Sequence, residues 1–135
     1  MKTTSILIAL CLFTSCASKQ IINENEIIIN ATSNTSVGND YEMKITKVIS
    51  DSRCPEGVNC VWAGEVQLVL AIYKENILEK EETVFINYKK LEYNKQFFRS
   101  YITTEKKIKD FIILPIKKQE QTIDLKDYIL KIEME

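Results

Sequence analysis

The sequence predicts an all-β chain: a single β-sandwich, or a small barrel, of about seven short strands with one disulfide. Three observations predict it. Apolar residues alternate with polar ones in several short runs, as half-buried strands require. Turn-forming residues separate those runs, most clearly the Ser, Thr, Asn and Gly of residues 32–40. Helical periodicity is weak, since the best candidates, residues 74–82 and 89–95, hold too few apolar residues at spacings of three and four to bury a face.

Taken in order, Glu26-Ile27-Ile28-Ile29-Asn30-Ala31 is a short β-branched run. Tyr41, Met43 and Ile45 alternate with Glu42, Lys44 and Thr46, and the phase slips at Lys47-Val48, which predicts a strand with a bulge near its end. Val66, Leu68, Leu70 and Ile72 form the cleanest stripe, with Gln67, Val69, Ala71 and Tyr73 opposite, and predict a central strand. Val84, Ile86 and Tyr88 alternate again; residues 97–103 are aromatic and β-branched; residues 111–116 are continuously apolar; Tyr128, Leu130, Ile132 and Met134 close the series.

Ahead of these strands lies a targeting segment. Lys2 is followed by an uncharged apolar run over residues 6–13, far shorter than the roughly 20 residues a spanning helix needs. Leu12-Phe13-Thr14-Ser15-Cys16 resembles the lipobox of bacterial lipoproteins, with Phe13 where that pattern has Leu, Val or Ile. The resemblance implies cleavage before Cys16 and acylation of its thiol, so that palmitate or a similar chain holds the mature protein to a membrane. Ordinary secretion with Cys16 as a stray thiol is the alternative. The expected organisation is a signal peptide over residues 1–15, a lipidated tether over 16–25 and one β domain over 26–135. Residues 17–20 lack the Asp at the second position and the acidic cluster that mark other destinations in similar lipoproteins. The expected place is therefore the outer membrane, facing the periplasm.

Composition narrows the chemistry. Losing residues 1–15 takes Lys2 and no acid from 18 basic and 19 acidic side chains, which leaves a net charge of −2 and no nucleic-acid footprint. No histidine occurs anywhere, which removes Ser-His-Asp and Cys-His machinery and every metal site that needs imidazole. No cofactor is implied. Of four cysteines, Cys11 leaves with the signal and Cys16 accepts the lipid, so Cys54 and Cys60 remain as an expected disulfide in an oxidising compartment. A metal site would lack the usual gap of two to four residues, and catalytic redox pairs are separated by two.

The densest stretch is Asp51-Ser52-Arg53-Cys54-Pro55-Glu56-Gly57-Val58-Asn59-Cys60-Val61-Trp62-Ala63-Gly64. Closing the Cys54–Cys60 ring is worth about 2.4 kcal/mol in the chain-entropy model. Pro55 suits the first central position of a type I turn and Gly57 its last. The stretch looks like the signature of a family of short bacterial lipoproteins and secreted domains, written D-S-R-C-P-x-x-V-x-C-x-W-A-G, and every fixed position matches. The likeness extends more loosely to Leu114-Pro115 and to Asp127-Tyr128-Ile129-Leu130; Ile116 and Lys117 stand where an aromatic and a proline commonly follow that Leu-Pro. The resemblance implies membership and brings no activity or catalytic residue with it.

Trp62, the single tryptophan, is expected to cover the disulfide as a core residue; its sharper reading is an exposed platform for a sugar ring or a partner. Asp51, Arg53, Glu56 and Glu65 read as loop caps and surface ion pairs, or, with Trp62, as an interaction face. Lys106, Lys107, Lys109, Lys117 and Lys118 read as solvated faces and edge-strand gatekeepers, with contact to anionic headgroups as the alternative. The expected function is that of a non-enzymatic interaction or accessory module with an envelope protein as partner. The alternative is a periplasmic glycan- or lipid-binding domain, with Tyr88, Tyr93, Phe97, Phe98 and Tyr101 as candidate lining.

Overall fold

The computed structural model describes residues 25–135; the signal peptide, Cys16 and the tether up to residue 24 lie outside the described residues. Seven strands form, β1 (Glu26–Asn30), β2 (Thr35–Gly38), β3 (Tyr41–Asp51), β4 (Val66–Lys74), β5 (Ile77–Ile86), β6 (Ile108–Leu114) and β7 (Ile129–Met134), with one helix, α1 (Leu91–Arg99), between β5 and β6. One sheet has the order β2-β3-β4-β5 and the other β1-β7-β6. Every pairing is antiparallel. Two open sheets contribute to one core, which is the sandwich the alternation predicts.

The stripe on β4 behaves as its pattern requires. Val66, Leu68, Leu70 and Ile72 are fully buried, and the strand is hydrogen-bonded on both sides, to β3 and β5. Across the core, Leu130, Ile132 and Met134 of β7 and Ile27 and Ile29 of β1 supply the facing layer. The register of β3 shifts between Ile45 and Lys47 and again between Val48 and Ser50, where the sequence loses phase.

Three local readings are corrected. Residues 97–103 are not a strand: Phe97, Phe98 and Arg99 form the last turn of α1, and Tyr101 and Ile102, in and just after the turn that follows, are buried in the core. The helix escapes a hydrophobic pattern because the middle of its buried face is polar. Asn94 is 1% exposed and its Nδ2 donates to the Phe85 carbonyl at 2.9 Å, pinning the helix to β5. Residues 89–95, set aside as too polar to bury a helical face, lie largely within α1, whereas residues 74–82, set aside on the same ground, form no helix and make a β-hairpin whose two-residue turn, Glu75-Asn76, has both φ angles positive. Within the presumed turn 32–40, Thr35–Gly38 pairs with β3 and buries Val37 as its one anchor. Gly38 is obligatory there, since its φ is +121° and a Cβ would press on the Thr103 backbone.

Candidate functional site

The cysteine motif is the outward continuation of the β3–β4 hairpin. Beyond the last sheet pair, Asp51 with Val66, the Ser52 N–H donates to the Glu65 carbonyl at 2.9 Å and the Cys54 N–H to the Ala63 carbonyl at 3.0 Å. Two more rungs therefore carry the hairpin past the edge of the sheet. Gly64 permits this closure: its φ is +76°, and a Cβ would collide with the Ser52 carbonyl.

Above the rungs the loop is closed by the Cys54–Cys60 disulfide, with Cα atoms 5.9 Å apart. The turn inside the ring is shifted by one residue from the expected one. Val58 N–H donates to the Pro55 carbonyl at 3.2 Å, so Glu56 and Gly57 are the central residues. Gly57 has φ +77°, the positive value that a type II turn requires at this position.

Beneath the rungs a charged clamp ties the motif to the opposite sheet. Arg53 donates from Nε to Oδ1 of Asp51 at 2.9 Å and from Nη2 to Oδ2 at 2.7 Å, a bidentate pair. Its Nη1 reaches the carbonyls of Ile113 at 2.8 Å and Pro115 at 3.0 Å, at the end of β6. The Tyr128 hydroxyl donates to Asp51 Oδ2 at 3.0 Å, and Lys117 Nζ donates to the Asp51 carbonyl at 2.6 Å. The Glu56 N–H donates to the Lys117 carbonyl at 2.8 Å. All three segments that carry the family resemblance thus meet at one end of the sandwich.

The electrostatics of the clamp are those of a saturated structural pair. Burial pushes the Asp51 carboxyl up, but the hydrogen bonds and charge of Arg53, with the Tyr128 hydroxyl, outweigh it and hold the group below its ordinary value. Burial, then the hydrogen bond to Asp51 and its negative charge, push the Tyr128 hydroxyl up to about 12. An ionised carboxylate with both oxygens engaged and a phenol this weak as an acid hold geometry; neither is poised for proton transfer near neutral pH.

The predicted site residues separate into two groups. Asp51 and Arg53 have side chains only 8% and 18% exposed and act as the clamp. Glu65 accepts from Asn87 Nδ2 at 2.7 Å and Gln67 Nε2 at 3.2 Å, which ties the motif to the 3-10 turn ahead of α1. Glu56 lies on the exposed tip. Trp62 is not a core residue over the disulfide: it is 59% exposed, beside Val61, which is wholly exposed, and with Val58 on the same loop. The rungs and the short ring leave the indole no interior to enter. Tyr128 and Lys117 escaped the sequence reading as site residues, although Tyr128 lies in a segment that carries the resemblance.

The aromatic lining expected for a ligand pocket is dispersed. Phe98 and Tyr101 are core, Phe97 packs edge-on against both, and Tyr88 and Tyr93 point to solvent. A cleft of about 430 Å³ lies elsewhere, between Ile27, Val37, Gly38, Ile102 and Met134. Among the described residues, no group of three or more His, Cys, Asp or Glu is placed to hold a metal ion, and no helix is long and apolar enough to cross a membrane. No protein-family model, no curated protein and no solved structure matches the chain.

Proposed function

We propose that this chain is a lipoprotein of the bacterial envelope, anchored by acylated Cys16 in the outer membrane on its periplasmic side, and that it works by contact rather than by catalysis. The contact face is the stapled hairpin tip, with Glu56, Val58, Val61 and Trp62 as its residues. One observation carries the reading: a loop fixed by a disulfide, two backbone rungs and a four-residue clamp presents a tryptophan and two valines to solvent. Rigid, exposed aromatic area is what interfaces use as anchors, because it loses little entropy on binding.

Two measurements test it. Labelled palmitate should incorporate into the full chain and not into Cys16→Ala. Crosslinking in native membranes should then recover a partner with the parent chain and lose it with Trp62→Ala, while that variant melts at the same temperature. Equal labelling of both chains sinks the anchor; partner recovery unaffected by Trp62→Ala sinks the face.

The second reading, a glycan- or lipid-binding domain, has the apolar cleft of Ile27, Val37, Ile102 and Met134 in its favour. Saturable binding of a fluorescent fatty acid, abolished by a bulky substitution at Val37, would move the function there.

A further inference from the structure

The tip and the start of the described chain lie at opposite ends of the sandwich. Met134 N–H donates to the Asn25 carbonyl at 2.8 Å, which fixes Asn25 beside the Glu26–Glu133 pair and the Ile108–Met134 pair. Gly38 shares a cleft with Ile27 and Met134 and pairs with Tyr41, which puts the Tyr41 end of β3 at that same end. From there β3 runs 11 residues to Asp51, on the order of 33 Å. Asp51 and Arg53 bond to Tyr128, Ile113 and Pro115, the far ends of β7 and β6, and the tip projects beyond them.

From Cys16 to Asn25 the chain covers at most about 32 Å when fully extended. For the tip to meet the bilayer end-on, this segment would have to be drawn taut along the whole flank of the domain, with a loss of conformational entropy in every residue. With the tip outward it needs no extension. Two copies anchored in one leaflet point their tips the same way, so they do not meet tip to tip.

Partner chemistry follows from the neighbours of Trp62. A sugar ring stacked on an indole needs polar side chains around it for its hydroxyls. Here Asp51, Arg53, Lys117 and Glu65 direct their hydrogen bonds into the domain. Glu56 and Asn59 are exposed on the same loop, but the residues that flank Trp62 in the chain, Val61 and Ala63, are exposed and apolar, and Val58 adds a further exposed apolar side chain. We infer that the tip docks into an apolar recess of a protein lying on the side of the domain away from the anchoring bilayer. This rests on the anchor at Cys16 proposed above.

Trp62 is the only tryptophan, so its emission reports the tip alone. The full acylated chain is placed in phosphatidylethanolamine/phosphatidylglycerol vesicles with brominated acyl chains, and in parallel a benzophenone side chain at position 61 is photoactivated in native envelopes. The expected result is emission unquenched by the bromines and quenched by aqueous iodide, together with a protease-sensitive adduct at position 61 that Trp62→Ala abolishes without changing the melting temperature. Quenching by bromines in a chain that floats with the vesicles overturns the orientation and leaves the anchor standing. A chain that does not float, as Cys16→Ala should not, overturns the anchor and this inference together. An adduct to lipid, to muramidase-sensitive glycan or to a second copy, or no adduct at all, overturns the protein partner.

Discussion

Tyr128 donates its hydroxyl proton to Oδ2 of Asp51 at 3.0 Å, across 77 positions of sequence and from one sheet to the other. The same carboxylate is held by Arg53, so the end of β3, the start of β7 and the end of β6 share one fixed point.

Arg53→Ala should be among the most damaging substitutions outside the apolar core. It leaves the Asp51 carboxylate buried without its cation and takes the donor from two carbonyls. The expected loss is about 3 kcal/mol, the lower part of the range for breaking a buried pair, because Arg53 keeps some contact with water. Urea unfolding of the chain expressed without residues 1–16 reads it directly, and a loss under about 1 kcal/mol would show the clamp to be ornamental.

The Tyr128–Asp51 bond also sets a pH dependence. The Tyr128 hydroxyl is raised in the folded state, so its contribution is complete below the ordinary phenol value near 10 and is lost as pH rises through about 12. Asp51 is lowered, so its contribution is present above the ordinary carboxylate value near 4 and is lost as pH falls through the folded value beneath it. Tyr128→Phe should be less stable at pH 8 and should flatten the alkaline fall between pH 10 and 12. Parallel stability curves for the two chains over that interval would contradict the assignment.

Gly57 and Gly64 make a matched pair. Both have positive φ, but a Cβ at Gly57 meets nothing within 4 Å, whereas at Gly64 it meets the Ser52 backbone. Gly57→Ala should cost about 1 kcal/mol, the price of the conformation alone. Gly64→Ala should cost several-fold more or shift the rungs, visible as altered exchange of the Ser52 and Cys54 amides. Equal melting temperatures for the two variants would contradict the geometry.

Reduction of the disulfide should loosen the tip without unfolding the sandwich. The seven-residue ring contributes at most about 2.4 kcal/mol, and the rungs and clamp lie below it. The Cys54→Ser/Cys60→Ser chain should keep its sheet signal in circular dichroism, with loss confined to the amide protection of residues 56–62. Global unfolding of that variant at room temperature would show the staple to be part of the core.

The fold was legible wherever alternation was strict and was missed wherever one residue broke the code. Val66, Leu68, Leu70 and Ile72 announce β4 because every second side chain enters the core. Helix α1 stays hidden because Asn94 sits where an apolar residue would have completed the pattern, held instead by a hydrogen bond to a strand 9 positions earlier that no local rule anticipates. The β4–β5 hairpin stays hidden because Glu75-Asn76 turns without the glycine that usually marks such a turn. The motif itself stood out by composition, yet composition alone does not say which of its residues face inward. Asp51 and Arg53 look like surface charges until Tyr128, Ile113 and Pro115 arrive from the far end of the chain.

The rung between Cys54 and Ala63 divides the motif into two territories that answer to different constraints. Below it, Asp51, Arg53 and Gly64 answer to the architecture, and almost any change there disturbs both sheets. Above it, the side chains at positions 58, 61 and 62 bear no weight for the core, so a point substitution there changes what the tip can touch while the scaffold stays as it is.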